Sequence, residues 1–226
     1  QAGGSAEGDV VEALVQVRKA LGIRQPVILG VPTTTSIVTT VEPLVVNRAR
    51  AWLAVQFELQ QQVPYDMQQA VWDYAWDEGS LASLGTPRLG QALGAAHAVA
   101  LAMKQSLLAW YLAACKRAGL SVGAVSVGAI AVVNAWLRAH GTDEPAKQPA
   151  VLLHLDEESL EWIVVNGHRV QVVPMVLSAA EPPAGEALAE LVRGSWESVR
   201  ELAGPGGSPA RVWLLGESAV RPALAQ

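Results

Sequence analysis

Cysteine is nearly absent from this chain. Its 226 residues contain one, Cys115, so an intramolecular disulfide is excluded, and a lone thiol fits a reducing compartment. Phenylalanine also occurs once, against eight tryptophans. Charge is scarce: 16% of residues are charged and 51% hydrophobic, which excludes the disordered class. The net charge is -5, with no Lys/Arg cluster. A nucleic-acid binder would show a basic stripe, and an anionic lipid surface recruits basic patches. Long apolar runs are missing too. The longest, Val122 to Leu137, is broken by Gly123, Ser126, Gly128 and Asn134 and falls short of the ~20 residues that cross a bilayer. The chain opens on Gln1-Ala-Gly-Gly-Ser-Ala-Glu-Gly8, small and polar, without the basic and apolar regions of a signal peptide. That start, lacking Met, reads as a linker or a fragment edge. The expectation is a chain without direct membrane insertion that sits beside a membrane by holding a partner.

The length suffices for one large or two small domains with a real core. Asp9 is expected to cap a helix running to about Leu21, stopped by Gly22. Val27–Val31 reads as a short strand between prolines, and 35–46, rich in β-branched residues, as a second. Residues 48–62 switch to helical spacing, with Trp52, Leu53 and Leu59 in the buried stripe, and Pro64 ends the helix. Strands are expected over 70–77 and 95–103, separated by a Gly- and Ser-rich loop. Helices follow at 105–118 and 129–139, with a strand at 122–127 between them. The polar, proline-containing 141–149 is the best internal boundary. Beyond it come strands at 150–155, 160–166 and 168–177, the last two joined at Asn166-Gly167, a hairpin signal. A helix at 185–202 and a strand at 211–215 complete the α/β pattern.

Several motifs suggest chemistry, and each has a plainer reading. Gly119-Leu-Ser-Val-Gly123 matches the nucleophile elbow, but that elbow needs a strand before it and a helix after; here the order is reversed. His97, His140, His154 and His168 lack metal-ligand spacing. Asp66, Asp73 and Asp77 could be paired carboxylates, yet nothing nearby would split their pKa values. A turn cap at Asp66 and a solvated sheet face account for them. Cys115 reads as a small core residue. Trp52, Trp110 and Trp136 read as core. Trp72 and Trp76 are placed on one strand face and Tyr74 on the other, so that one aromatic face meets solvent or a partner.

One segment stands apart: Phe57-Glu-Leu-Gln-Gln-Gln-Val-Pro-Tyr-Asp-Met67, followed by Ala70-Val-Trp-Asp-Tyr74. It resembles a segment of the PilM family, the actin-like, FtsA-related proteins of type IV pilus assembly. Val27-Ile-Leu-Gly-Val-Pro32 with Ile37-Val38 and Val41-Glu42 is similar to a hairpin of that family. Met103-Lys104, Tyr111-Leu112, Ala118-Gly119-Leu120 and Val125 to Ala131 continue the resemblance in the same order. It implies an α/β, actin-like (ribonuclease H-like) fold, incomplete, with an inserted α+β subdomain. Residues 1–148 would form the first actin-like subdomain, with the insertion at about 42–102. Residues 149–226 would form part of the second.

The resemblance also implies a role. Family members hold the N-terminal cytoplasmic peptide of PilN, a single-span inner-membrane protein, in a groove between the first subdomain and the inserted one. Phe57, Val63, Pro64, Tyr65 and Val71 are the candidate partner-binding residues. Other pilus platform proteins of the inner membrane are further partners, and the expected location is the cytoplasm, peripheral to that membrane. Actin-like ATPases cradle phosphates between two Asp-x-Gly loops. The first has no counterpart in this chain. The second falls on Leu153-His-Leu-Asp-Glu-Glu-Ser159, where His154 replaces the Asp and Asp156 the Gly. A like charge about 4 Å from a phosphate costs roughly 1 to 4 kcal/mol. The expectation is therefore a scaffold, with no enzyme activity and no cofactor. A nucleotide-dependent ATPase whose first phosphate loop lies outside the chain is the alternative, and a homo-oligomeric, polymerising scaffold is a third class.

Overall fold

The computed structural model describes residues 3–42, 51–76, 97–140, 149–156, 159–166, 169–177, 186–202 and 211–216. Three sheets carry the described residues. Helix α1 spans Gly3–Ala20, so Asp9 lies inside the helix rather than at its cap. No proline bars the Gly- and Ser-rich lead from helical geometry, and the periodic segment propagates back over it. Gly22 then takes a positive φ of 60°. Strand β1 (Val27–Val31) pairs in parallel with β5 (Val122–Val127).

Strand β2 (Ser36–Val41) pairs antiparallel with β4 (Ala98–Lys104), and β4 pairs with β3 (Ala70–Trp76), giving the order β2-β4-β3. Helix α2 (Ala51–Gln60) covers one face of this sheet, burying Ala51, Val55 and Leu59. Trp52 remains 47% exposed and Leu53 is exposed with it. Leu59 is buried as expected, whereas Trp52 and Leu53 are not, because positions 51, 55 and 59 face the sheet. After α2, Asp66 caps a short turn as expected, its Oδ1 accepting from Gln68 N–H at 2.9 Å.

Trp72, Tyr74 and Trp76 all lie on the α2 side of β3, with Trp72 and Tyr74 stacked at 5.9 Å and Trp76 edge-on to Tyr74 at 5.5 Å. The expectation that Tyr74 opposes the two tryptophans is corrected. A strand repeats every second residue, so 72, 74 and 76 share a face.

Helix α3 (Gln105–Arg117) follows β4 directly. Gly119 closes it at φ 74°, with Leu120 N–H bonding back to Cys115 O at 2.9 Å. Arg18 of α1 donates to Ala118 O at 2.9 Å, pinning the two helices, and a Cβ on Gly119 would strike that guanidinium. The helix precedes Ser121 and the strand follows it, so no nucleophile elbow forms. Cys115 is buried; burial pushes its thiol pKa up.

Helix α4 (Gly128–His140) runs between the first sheet and the last, burying Ala129, Val133 and Trp136. The buried Thr33 hydroxyl caps it, accepting from Ala129 N–H at 2.9 Å. The last sheet has the order β8-β7-β6-β9, from β6 (Ala150–Leu155), β7 (Ser159–Asn166), β8 (Arg169–Val176) and β9 (Arg211–Gly216). Asn166 pairs with Arg169, so β7 and β8 form the expected hairpin, but Asn166 is the last ladder residue rather than a turn residue, and Gly167 lies outside the described residues. Helix α5 (Glu186–Leu202) covers one face through Leu188 and Val199; α4 covers the other. Trp162 Nε1 donates to Ser195 Oγ of α5 at 2.8 Å. Thr40 joins the two halves, its Oγ1 donating to Val170 O and accepting from Val170 N–H, both at 2.9 Å. Glu42 adds an ion pair with Arg169, and its Oε1 lies 3.5 Å from His97 Nδ1.

Candidate functional site

The alternation of β3 decides where a site can lie. Its even residues are half-buried and pack on the cluster under α2. Its odd residues, Val71, Asp73 and Ala75, are exposed on the opposite face, beside Met103, Leu101 and Val99 of β4. Among the described residues, β3 is an edge strand, paired only with β4, and β5 is an edge strand paired only with β1. An edge strand offers unpaired backbone N–H and C=O groups.

Two cavities open along this face. One, of about 280 Å³, lies between Val71, Met103, Leu108 of α3 and Val125–Val127 of β5. The other, of about 380 Å³, lies between Ala75, Val99 and the α4 residues Ile130, Asn134 and Leu137. Both are lined by Asp73 and Leu101, which are direct cross-strand partners. The cavities therefore form one apolar groove along β3, floored by β5 and α4. Among the described residues, Asp73 is the only charged one in its lining. Asp73 Oδ1 accepts from Tyr74 N–H at 2.8 Å.

Of the five residues predicted to bind a partner, the structure places Val71 in this groove, 40% exposed. Val63 and Tyr65 belong to the cluster beneath α2, on the other face of the sheet. Val63 is buried there; Tyr65 is half-buried, with the Lys104 ammonium 5.5 Å from its ring centroid. Phe57 stands 64% exposed on α2, and Pro64 is exposed in the turn after it. The five do not converge on one surface. Sequence reasoning missed Asp73, Leu101, Asn134 and Leu137 as groove residues. The strand alternation of 71, 73 and 75 against the aromatic 72, 74 and 76 carried the signal for the first.

The segment expected to correspond to the second phosphate loop is closed on itself. Ser159 N–H donates to Asp156 Oδ1 at 2.5 Å and Ser159 Oγ to Oδ2 at 2.9 Å, while Asp156 N–H donates to Ser159 O at 3.0 Å. Glu157 and Glu158 lie outside the described residues. His154 and Glu161 are cross-strand partners, with Nδ1 3.3 Å from Oε2. Glu161 is only 3% exposed. Its hydrogen bond raises the His154 pKa above the usual 6.5; burial opposes this, and the charges of Glu161 and Asp156 reinforce it. The imidazole is thus the hydrogen-bond partner of a buried carboxyl group. At the end of β9, Gly216 has φ 129°, and a Cβ there would meet Leu155 O at 2.0 Å. That glycine serves the close approach of β9 to β6. Among the described residues, no group of three His, Cys, Asp or Glu could hold a metal ion, and no helix is long and apolar enough to cross a membrane.

No family model matches the chain, and no curated protein matches it in sequence. Solved structures do match. The PilM-PilN type IV pilus biogenesis complex aligns with a TM-score of 0.69 at 17% identity, over 96% of this chain and 72% of that one. The cytoplasmic domain of EpsL, an inner membrane component of the type II secretion system of Vibrio cholerae, aligns with a TM-score of 0.54 at 13% identity, over 92% and 68%. A protein of unknown function with an actin-like ATPase fold from Bacteroides thetaiotaomicron gives 0.48 at 7%, over 90% and 64%. The chain has the PilM-like, actin-like α/β fold that the resemblance implied.

Proposed function

We propose that this chain is a PilM-like scaffold of an envelope assembly machine, and that it grips an extended cytoplasmic peptide of an inner-membrane partner. The N-terminal peptide of a PilN-like protein is the partner of choice. The observation that carries this reading is the apolar groove between the edges of β3 and β5. An extended peptide can add to a free strand edge, where backbone hydrogen bonds give affinity and side-chain pockets give selectivity. In this reading the protein is peripheral to the inner membrane through its partners, and contacts with other platform proteins or a second copy would use surfaces outside the groove.

The same reading makes the chain a non-enzyme that holds no nucleotide. Its support is the Asp156 turn: the Ser159 N–H that could face a phosphate is already taken by a carboxylate, and a phosphate approaching that carboxylate meets like charge. Two titrations test the proposal. Calorimetry with ATP and magnesium is expected to give no binding; a micromolar dissociation constant would restore the nucleotide-dependent ATPase. Titration with the PilN-like peptide is expected to give saturable binding that Val71→Arg abolishes and Phe57→Ala leaves intact. Equal loss in both variants would move the site to the α2 side of the sheet.

A further inference from the structure

We infer that the groove along β3 selects an extended segment with a Lys or Arg opposite Asp73 and apolar side chains two residues to either side. This rests on the peptide reading above and adds the chemistry of the ligand to it.

The register gives the pattern. A strand added alongside β3 would place residues opposite Val71, Asp73 and Ala75 on the groove face, spaced by about 7 Å. Val71 lines the smaller cavity and Ala75 the larger, while Asp73 lines both. The two outer positions of the guest therefore meet apolar space and the middle one meets a carboxylate. Opposite charges directly across a strand pair attract, and like charges repel.

Charge on the rest of the surface sharpens the point. Glu42 is paired with Arg169 and His97, Glu161 with His154, and Glu197 with Arg200. Asp73 has no cation partner among the described residues, and its Oδ1 is held by Tyr74 N–H. That bond fixes the carboxyl orientation and leaves Oδ2 for a guest. Lys104, on the neighbouring strand, lies over the Tyr65 ring instead. A cation entering the groove would find one acceptor and no competitor. Apolar walls exclude water around the pair, which strengthens it relative to an exposed one.

The test uses random nine-residue peptides displayed on phage and selected against the immobilised chain. Enriched peptides are then titrated by fluorescence anisotropy. Those that use the groove are identified by loss of binding to Asn134→Trp, which fills the larger cavity from the exposed face of α4. The expected result is a Lys or Arg flanked at two-residue spacing by Leu, Ile, Val, Met or Phe. Asp73→Asn, which keeps the acceptor for Tyr74 N–H, is expected to weaken such peptides about fivefold to tenfold. Replacing the peptide's basic residue with norleucine should give the same loss without touching the protein. Added salt should weaken the wild-type complex and spare the Asn variant.

Asp73→Lys should turn the preference to Asp or Glu. Groove-dependent peptides without a basic preference, binding wild type and Asp73→Asn equally, would overturn the charge inference and leave the groove reading standing. Enriched peptides indifferent to Asn134→Trp would overturn both.

Discussion

Two mid-strand acids mark the difference between the halves of this molecule. Glu161 sits on β7, a strand buried along nearly its whole length, with α4 covering one face and α5 the other. Asp73 sits on β3, which alternates between half-buried and exposed positions and borders an open groove. A carboxylate in the first setting must carry its own counter-charge, because an unpaired buried charge is costly. His154 supplies it. In the second setting solvent does the work, and the acid needs no partner within the fold. The first half closes over its strands, and the second leaves one strand face open.

The largest test of this contrast is His154→Leu. It strands Glu161 in the interior and is expected to cost about 3 to 5 kcal/mol in urea unfolding. The double variant with Glu161→Leu is expected to recover most of that loss, since replacing a buried pair by apolar residues is often neutral. Asp73→Asn is expected to shift stability by no more than about 0.5 kcal/mol. If His154→Leu were equally mild, the two acids would not differ as described.

A smaller effect is expected from Thr33→Val. It removes the acceptor for Ala129 N–H at the start of α4 and should cost roughly 0.5 to 2 kcal/mol by thermal or urea unfolding. Thr33 is 1% exposed, so water cannot replace the lost partner. No change would remove the hydroxyl from the capping role.

The pH dependence should be smaller and signed. The folded-state pKa of His154 lies above its ordinary 6.5, so between those two values the native state binds more protons than the unfolded one. The contribution of the pair is fully present below pH 6.5 and is lost as pH rises through the folded value. Urea midpoints across that window should therefore fall with rising pH, and Glu161→Gln should flatten the slope. A slope of the opposite sign would mean that burial, not the carboxylate, governs the imidazole.

The strands and helices were largely legible because their periods are strong. The apolar run at 150–155, the antiparallel pairing of β7 with β8 and the stripe of α5 all formed where expected. The Gly-x-Ser-x-Gly decoy was also rightly discounted, since order along the chain alone reverses its geometry. The errors came where a local rule was misapplied or overridden. Trp72, Tyr74 and Trp76 were divided between faces that a two-residue period unites. Trp52 was assigned to the core on helical spacing, although Ala51, Val55 and Leu59 carry the packing of α2.

The sequence by itself determined the elements and the fold class, because each is written in short-range periodicity or residue identity. Tertiary structure alone decided the groove. Asp73, Leu101 and Asn134 lie far apart along the chain, and only sheet pairing and the docking of α4 bring them to one surface. It also decided which carboxylate needed a partner: burial depends on what the rest of the fold lays over a strand, and no local pattern records that.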